Sequence, residues 1–255
     1  MELFFDNSLA ANYHSATQIA RIMTENWVKK NMFCPRCGNL NLKHFENNRP
    51  VADFFCPACN NEYELKSKNG IIGKKINDGA YEKMIERILS NNNPDFLFMS
   101  YSRTEQLVTD LIFIPKHFFT PDVIEKRTPL AANARRAGWI GCNILLEKIP
   151  QQGRIDIISR GSIANKDRVV TKVRQSDSLR IANINNRGWL FDILICINKF
   201  CDNEFTLKEL YDFEDILHRK HPDNNNIKPK IRQQLQILRD NGYIKFIARG
   251  RYKLL

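Results

Sequence analysis

Two pairs of closely spaced cysteines constrain the fold of this chain more than any other feature. They are Cys34-Pro-Arg-Cys37 and Cys56-Pro-Ala-Cys59, with 18 residues between the pairs. A two-residue gap lets a tight turn present both thiolates to one tetrahedral ion, and the whole spacing is typical of structural zinc sites. Four thiolates close the coordination shell, so we predict a structural Zn²⁺ at these cysteines. The alternative is four reduced cysteines that happen to be paired.

Three further cysteines, Cys142, Cys196 and Cys201, have no partner at such a spacing, and we interpret them as small core residues. The N-terminal stretch lacks the basic-then-apolar order of a signal peptide, and no apolar run approaches the roughly 18 residues that span a bilayer. We therefore expect a soluble, cytoplasmic protein without a membrane partner. Disulfides are not expected in that reducing compartment.

Basic charge is concentrated near the C-terminus. The 255 residues include 39 Lys and Arg against 28 Asp and Glu, and 43% are hydrophobic, which fits a globular protein and excludes a disordered or collagen-like chain. Residues 222–255 alone contain eight basic and two acidic residues. This excess favours a polyanionic partner, with nucleic acid first. A solvated, disordered tail is the alternative, but the segment also has apolar periodicity.

Residues 1–160 are predicted to form a mixed α/β domain. Apolar residues at helical spacing predict helices over 14–30 and 77–90. The second cysteine pair lies in the turn between the first two predicted strands, so zinc would clamp that β-hairpin to the first pair. Residues 161–184 are polar, lack clear periodicity and are predicted to be a linker. Short apolar runs predict strands over 51–55, 61–68, 96–101, 107–115, 140–146 and 154–159.

Residues 185–255 follow a different pattern. Helices are predicted over 189–200, from 206 to about 219, and over 227–240, and Thr206-Leu-Lys-Glu209 is a capping box. The strands predicted over 243–248 and 251–255 flank Arg249-Gly250 in a hairpin. Three helices followed by a basic hairpin are the layout of a small winged-helix domain. The core stripe of the third helix would be formed by Ile231, Leu235 and Leu238.

The zinc-clamped hairpin carries two acids and a lysine. Asp53 lies on its first strand and Glu64-Leu-Lys66 on its second, where alternation puts Glu64 and Lys66 on one face. Two carboxylates can hold Mg²⁺, which polarises a phosphodiester and lowers the pKa of bound water, and a lysine can stabilise the charge that develops at phosphorus. Ordinary charge alternation on a surface strand is the simpler interpretation. Glu25 could also face this site, although we favour an ordinary solvated helix residue.

The hairpin resembles the PD-(D/E)XK nuclease core, and the chain as a whole resembles the DpnI-like methyl-directed restriction endonucleases. The resemblance implies an α/β fold, a restriction-endonuclease-like mixed sheet with an inserted four-cysteine zinc site, followed by a winged helix. It implies a type II enzyme that cleaves double-stranded DNA at GATC when the adenine carries an N6-methyl group. The stretches that carry it are HFENNRPVAD (44–53), INDGAY (76–81), ARRAGWIGCN (134–143) and IRQQLQILRD (231–240).

On that resemblance Asp53, Glu64 and Lys66 are catalytic, and the four paired cysteines bind Zn²⁺. The catalytic Mg²⁺ would be held by Asp53, Glu64 and the main-chain carbonyl of Leu65. The chain holds one such constellation, so cutting both strands requires two molecules or two successive nicks, and we expect a monomer in solution.

Two surfaces are candidates for reading methylated DNA. On the third helix of the winged helix, Gln side chains can pair bidentately with adenine and Arg with guanine, while wing arginines would meet phosphates. In the first domain an Arg-Arg-Ala-Gly-Trp run offers two arginines and an indole for the methyl group. The alternatives are solvated charges for the arginines and a core position for Trp139, and for Trp189 we favour the core. The candidate DNA-binding residues are Lys228, Arg232, Gln233, Gln236, Arg249, Arg251, Arg135, Arg136 and Trp139.

Two other classes of function compete with a nuclease. A non-catalytic DNA-binding regulator would use the winged helix and the zinc hairpin, but the intact Asp53, Glu64 and Lys66 argue against it. A zinc-ribbon module for protein interaction leaves the basic C-terminal segment unexplained.

Overall fold

The computed structural model describes residues 1–46, 52–181, 183–200 and 202–255. Val51 and Cys201, for which the sequence predicts a strand and a core position, lie outside the described residues. Within the described ranges no helix is both long enough and apolar enough to cross a bilayer. The chain forms two compact units, of which the first is Met1–Glu147 with Gln152–Asp177 and the second is Lys148–Gln151 with Ser178–Leu255.

The first unit contains a large mixed sheet and a small antiparallel one. Its strands are β1 (Lys43–His44), β2 (Phe54–Phe55), β3 (Glu62–Asn69), β4 (Lys75–Ala80), β5 (Asp95–Ser102), β6 (Leu107–Ile114), β7 (Ile124–Lys126), β8 (Gly141–Leu145), β9 (Ile155–Ser159) and β10 (Ser162–Ile163). The helices of this unit are α1 (Ala16–Asn31), α2 (Tyr81–Leu89) and α3 (Lys166–Asp177). In the large sheet the strand order is β1-β2-β3-β5-β6-β9-β10, with β3 and β5 parallel, and in the small sheet it is β4-β8-β7.

Alternation along β5 separates the two faces of the large sheet. Leu97 and Met99 belong to a core cluster that includes apolar residues of α1 and α3. Phe96 and Phe98 point to the opposite face and are also fully buried. Because β3 pairs with β5 in parallel, with Glu64 opposite Phe96 and Lys66 opposite Phe98, these two polar side chains share the face opposite α1. The predicted strands of this domain are observed within a few residues of their expected bounds.

The helix predicted over 77–90 starts later than expected. Residues 75–80 form β4, which pairs antiparallel with β8, and α2 begins at Tyr81. Asn, Asp and Gly at positions 77–79 are poor helix formers, so pairing with a distant strand decides their conformation. Met84 and Ile88, two of the apolar residues of this helix, are buried.

The linker predicted over 161–184 is wrong for much of its length, because residues 162–177 include β10 and α3. Val169, Val170 and Val173 are buried in the core of the first unit. The Asn165 side chain accepts hydrogen bonds from two main-chain N–H groups in the first turn of α3. Three valines among charged residues give a narrow apolar stripe, which is enough for a helix that covers an existing core.

The second unit has the predicted layout of helices followed by a basic hairpin. The capping box at Thr206 and Glu209 is confirmed by reciprocal hydrogen bonds. The predicted second helix is divided in two at Phe213, whose ring packs edge-on against Phe200. A short strand, Glu204–Thr206, pairs antiparallel with the second strand of the hairpin and extends its sheet. The elements are α4 (Ile184–Ile197), β11 (Glu204–Thr206), α5 (Leu207–Tyr211), α6 (Glu214–Lys220), α7 (Ile227–Asp240), β12 (Ile244–Ala248) and β13 (Arg251–Leu254).

Candidate functional site

Asp53 directly precedes the short strand β2 and lies beside the edge of β3. Its main-chain N–H donates to the carbonyl of Tyr63 at 2.9 Å, and its Oδ2 accepts from the main-chain N–H of Leu65 at 2.7 Å. The N–H and C=O of one strand residue point to the same edge, so the carbonyl of Leu65 also lies on this edge. Asp53 and the Leu65 carbonyl are therefore brought together by the backbone of β3.

Glu64 and Lys66 form a cluster with a residue that the sequence interpretation missed. Lys66 Nζ lies 2.6 Å from Glu64 Oε1 and also contacts Asp78 Oδ1 on β4. All three side chains are largely shielded from solvent, with 17%, 21% and 7% of the Glu64, Lys66 and Asp78 side chains exposed. The cluster places one ammonium between two carboxylates, and the charge of this ammonium also acts on Asp53.

Burial sets the electrostatics of this site. It raises the pKa of Asp53, against the opposing hydrogen bond from Leu65, and it raises the pKa of Glu64, against the opposing charge of Lys66. For Lys66, burial opposes the charged form, but the charges of Glu64 and Asp78 outweigh it and raise the pKa. The acids are thus poorly solvated and would gain from a cation.

One atom of the site is suited to a metal ion. Glu64 Oε2 is buried and has no hydrogen-bond partner, with the Arg87 guanidinium 4.0 Å away. Buried polar atoms of folded proteins are nearly always satisfied, so such an oxygen indicates a missing ligand. Carboxylate and carbonyl oxygens are the ligands that Mg²⁺ prefers. Asp53, Glu64 and the Leu65 carbonyl therefore fit a magnesium ion.

Glu25 differs from the solvated residue that we favoured. It lines a cavity of about 520 Å³ on the α1 face of β3, together with Asp53 and Leu65. Its carboxylate lies 2.7 Å from Arg21 Nε and 3.1 Å from His44 Nε2. The helix position that carries Glu25 faces the sheet rather than solvent, and the negative charge of Glu25 adds to the factors that raise the pKa of Asp53.

The four paired cysteines converge on one point. Their Sγ atoms all lie within 4.8 Å of one another, and the pairs Cys34–Cys59 and Cys37–Cys56 are each 3.6 Å apart. A tetrahedral Zn²⁺ with bonds of about 2.3 Å requires sulfurs roughly 3.8 Å apart. The cluster can therefore hold a structural zinc ion.

The two cysteine turns have the same backbone geometry. In each, the residue after the second cysteine donates its N–H at 2.8 Å to the carbonyl of the first cysteine. Those residues, Gly38 and Asn60, have φ of 79° and 56°, a conformation that Gly and Asn tolerate best. This repeated turn explains why two residues between the cysteines suffice to aim both sulfurs at one point.

An arginine inside the first turn attaches the cysteine cluster to the sheet. Arg36 Nε lies 2.5 Å from Asp95 Oδ2 and its Nη2 lies 2.9 Å from Asp95 Oδ1, a bidentate pair at the start of β5. Its Nη1 contacts Asp177 at 2.8 Å. Asp95 is fully buried and also accepts from Asn61 Nδ2 and from the main-chain N–H of Lys116. No sequence pattern indicated this network, since its members are far apart in the chain.

In the second unit the candidate DNA-reading side chains are exposed. Ile231, Leu235 and Leu238 are buried, as the core stripe of α7 predicts, and so is Gln234, whereas the candidate DNA-reading residues of α7 lie on the other face. Trp189 is a core residue, as we favoured, and stacks on His221 with ring centroids 3.8 Å apart. The exposed candidates are Lys228, Arg232, Gln233, Gln236, Arg249 and Arg251.

In the first unit the segment around Trp139 is a closed loop. The Leu130 N–H donates to the Trp139 carbonyl at 2.9 Å, and the Gly138 N–H donates to the Leu130 carbonyl at 3.0 Å. The Arg136 guanidinium stacks over the Trp139 ring, 4.7 Å from its centroid, and Trp139 itself is half-buried. Arg135 and Arg136 are exposed, so this loop presents an indole and two guanidinium groups on one surface segment.

Two family models together match nearly the whole chain. The DpnI model, described as the Dam-replacing family, matches residues 1–182. The chain belongs to the Dam-replacing family. The second model, described as the Dam-replacing HTH domain, matches residues 185–254, which include nearly all of α4 and the elements up to β13. The resemblance to DpnI-like endonucleases with a C-terminal winged helix is thereby confirmed.

Membership of the Dam-replacing family implies a restriction nuclease whose partner is DNA. Within that family assignment, the sequence patterns led to Asp53, Glu64 and Lys66 but not to Asp78. Asp78 lies in the INDGAY stretch, where the sequence predicts the start of a helix. Asp78 becomes a candidate site residue only when residues 75–80 are recognised as the strand β4. A helix at these residues gives no reason to place the Asp78 carboxylate near Lys66.

Proposed function

We propose that this member of the Dam-replacing family is a type II, methyl-directed restriction endonuclease. It would hydrolyse phosphodiester bonds of double-stranded DNA at GATC sites whose adenine carries an N6-methyl group. The observation that carries this proposal is the meeting of Asp53, Glu64 and Lys66 around one short stretch of β3. The family match supplies the DNA context for that chemistry.

In the proposed reaction each residue has a distinct role. Asp53, Glu64 and the Leu65 carbonyl would hold Mg²⁺, which would polarise the scissile phosphate and make the attacking water more acidic. Lys66 orients the attacking water and stabilises the negative charge that develops at phosphorus. The water oxygen bonds to phosphorus, the bond from phosphorus to the leaving sugar oxygen breaks, and that oxygen takes up a proton while the water loses one to solvent.

Recognition of the methylated site is proposed for two surfaces. An N6-methyl group projects into the major groove, where a helix can read base edges. On α7, Gln233 and Gln236 would read adenine and Arg232 guanine, with Lys228 and the wing residues Arg249 and Arg251 on phosphates. In the first unit Arg135 and Arg136 would contact DNA and Trp139 would pack against a methyl group.

The proposal also includes the domain organisation and the oligomeric state. A catalytic domain contains the nuclease and zinc residues, a winged-helix domain begins near residue 185, and the protein acts as a monomer in solution. With one cluster of Asp53, Glu64 and Lys66 per chain, both strands are cut by two molecules or by two successive nicks.

A structural Zn²⁺ at the four cysteines predicts about one zinc per chain in metal analysis, and much less zinc would remove that part of the proposal.

Plasmid cleavage tests the proposed function directly. Plasmids with N6-methylated and unmethylated GATC sites are incubated with the protein and Mg²⁺, and we expect fragments from the methylated plasmid alone. Equal cutting of both plasmids would contradict the methyl-directed specificity. Binding without cleavage across several divalent metals would favour a non-catalytic DNA-binding regulator.

Substitution of Lys66 tests the catalytic assignment. Lys66→Ala removes the ammonium and should abolish cleavage while leaving affinity for a methylated duplex largely unchanged. Lys68→Ala is the matched control, because Lys68 lies on the same strand but is exposed. Retained cleavage by Lys66→Ala would refute the role of Lys66, and loss of cleavage in both variants would point to a general effect of charge on this strand.

A further inference from the structure

Asp78 is the one member of the Lys66 cluster without a role in the mechanism above. Its side chain is 7% exposed, and its Oδ1 contacts the Lys66 ammonium. It belongs to β4 of the small sheet, whereas Glu64 and Lys66 belong to β3 of the large sheet. The contact therefore joins two sheets of the first unit at the candidate active site.

The backbone fixes the Asp78 carboxylate independently of Lys66. The main-chain N–H of Gly79 donates to Asp78 Oδ1 at 2.7 Å. Asp78 pairs with Cys142 of β8, and the register between the two strands shifts directly after it. A register shift of this kind re-aims a side chain, and such features are frequent beside active sites. The backbone thus holds the Asp78 carboxylate in place without help from Lys66.

The two carboxylates that contact Lys66 are not equivalent. Glu64 uses Oε1 for Lys66, while its buried Oε2 has no hydrogen-bond partner, which is the feature that suits it to a cation. A cation on Glu64 draws electron density from the same carboxylate that holds Lys66, so the contact between Glu64 and the ammonium weakens. An ammonium with no other anchor would then leave its position or compete with the cation for Glu64.

We propose that Asp78 is a positioning residue that anchors the Lys66 ammonium, so that Glu64 is released to bind the catalytic cation. This inference rests on the proposed function, because it assigns Lys66 and Glu64 their roles in cleavage. In this proposal Asp78 acts through its contact with Lys66 and not by binding substrate or metal. Residues that orient an active group in this way typically contribute about 10- to 100-fold in metal affinity or activity.

The test compares two variants that each remove one carboxylate from the small sheet. Asp78→Asn removes the anchor of Lys66. Glu125→Gln is the control, because Glu125 on β7 pairs with Lys75 of β4 at 2.6 Å, whereas Lys66 pairs with Glu64 and Asp78. For Asp78→Asn we expect a single-turnover cleavage rate about 10- to 100-fold lower and a higher Mg²⁺ requirement, with duplex affinity within about twofold of wild type. Glu125→Gln should cleave like wild type.

A second measurement does not depend on activity. Lysines of the metal-free proteins are labelled by reductive methylation and quantified by mass spectrometry. We expect faster labelling of Lys66 in Asp78→Asn and of Lys75 in Glu125→Gln, each without a change at the other lysine. Asp78→Glu keeps the charge and should recover most of the rate and the protection of Lys66, which a loss of folding would not produce.

Each result decides between the proposals. Unchanged cleavage and unchanged Lys66 labelling in Asp78→Asn would overturn the role of Asp78 while leaving the proposed function intact. Equal loss of rate in Asp78→Asn and Asp78→Glu, with a lower melting temperature in both, would also overturn it and assign Asp78 to folding. A wild-type protein that does not cleave refutes the proposed function, and Lys66 labelling then still decides whether Asp78 anchors the ammonium.

Discussion

At the scale of single residues, His117 links folding to pH. It is 1% exposed, its Nε2 lies 2.9 Å from the Ser176 carbonyl, and its Nδ1 has no hydrogen-bond partner. Burial lowers the pKa of His117 from 6.5 to about 4. Between pH 6.5 and about pH 4, His117 is therefore protonated in the unfolded chain but neutral in the folded chain. The unfolding free energy consequently decreases as the pH falls through this range.

The His117 effect can be isolated by substitution. His117→Gln keeps a donor for the Ser176 carbonyl but cannot titrate. Between pH 7 and pH 5, wild type should lose about 2 kcal/mol more of its unfolding free energy than the variant does. Urea unfolding of both proteins at the two pH values measures this difference. Any effect of acid on the cysteine cluster cancels in the comparison, because both proteins contain that cluster. Equal losses would show that His117 is not the group responsible.

At the scale of elements, the Arg36 network attaches the first cysteine turn to the start of β5. Asp95→Asn leaves a buried guanidinium without its bidentate partner, so we expect the unfolding free energy to fall by about 3–5 kcal/mol. Asp177→Asn is the matched control on the same arginine. The Asp177 side chain is 38% exposed, and exposed pairs contribute about 0–1 kcal/mol. Denaturant unfolding of both variants checks this, and similar losses would contradict a special role for the buried partner.

The elements also show what the sequence can predict and what it cannot. The cysteine turns, the capping box at Thr206 and the helix α7 depend on residues close in sequence, and they were predicted correctly. By contrast, β4 exists because it pairs with β8, which is distant in the chain, and α3 exists because a core is available for three valines. Asp78 was missed for the same reason, since its contact with Lys66 depends on the pairing of β4 with β8.

At the scale of the whole molecule, the uneven charge predicts how binding depends on salt. The net charge is +11, and residues 222–255 contribute eight basic residues against two acids. Each lysine or arginine that neutralises a phosphate releases counterions, so the affinity for DNA falls with salt at a slope that counts those contacts. Lys245 and Arg249 are exposed on the wing, where a duplex can reach them.

Substitution of these wing residues should change that slope more than it changes specificity. In a Lys66→Ala background, which prevents cleavage, we expect Arg249→Ala and Lys245→Ala each to reduce the slope of log affinity against log salt by about 1. The affinity ratio between methylated and unmethylated duplexes should stay constant, because phosphate contacts carry no sequence information.

Lys83→Ala is the control, since Lys83 is an exposed lysine on α2 that pairs with Glu86 at 2.8 Å. Fluorescence anisotropy over a salt series gives both quantities. An unchanged slope in both wing variants would mean that Lys245 and Arg249 do not contact the phosphate backbone, and the salt dependence would then have to come from other basic residues.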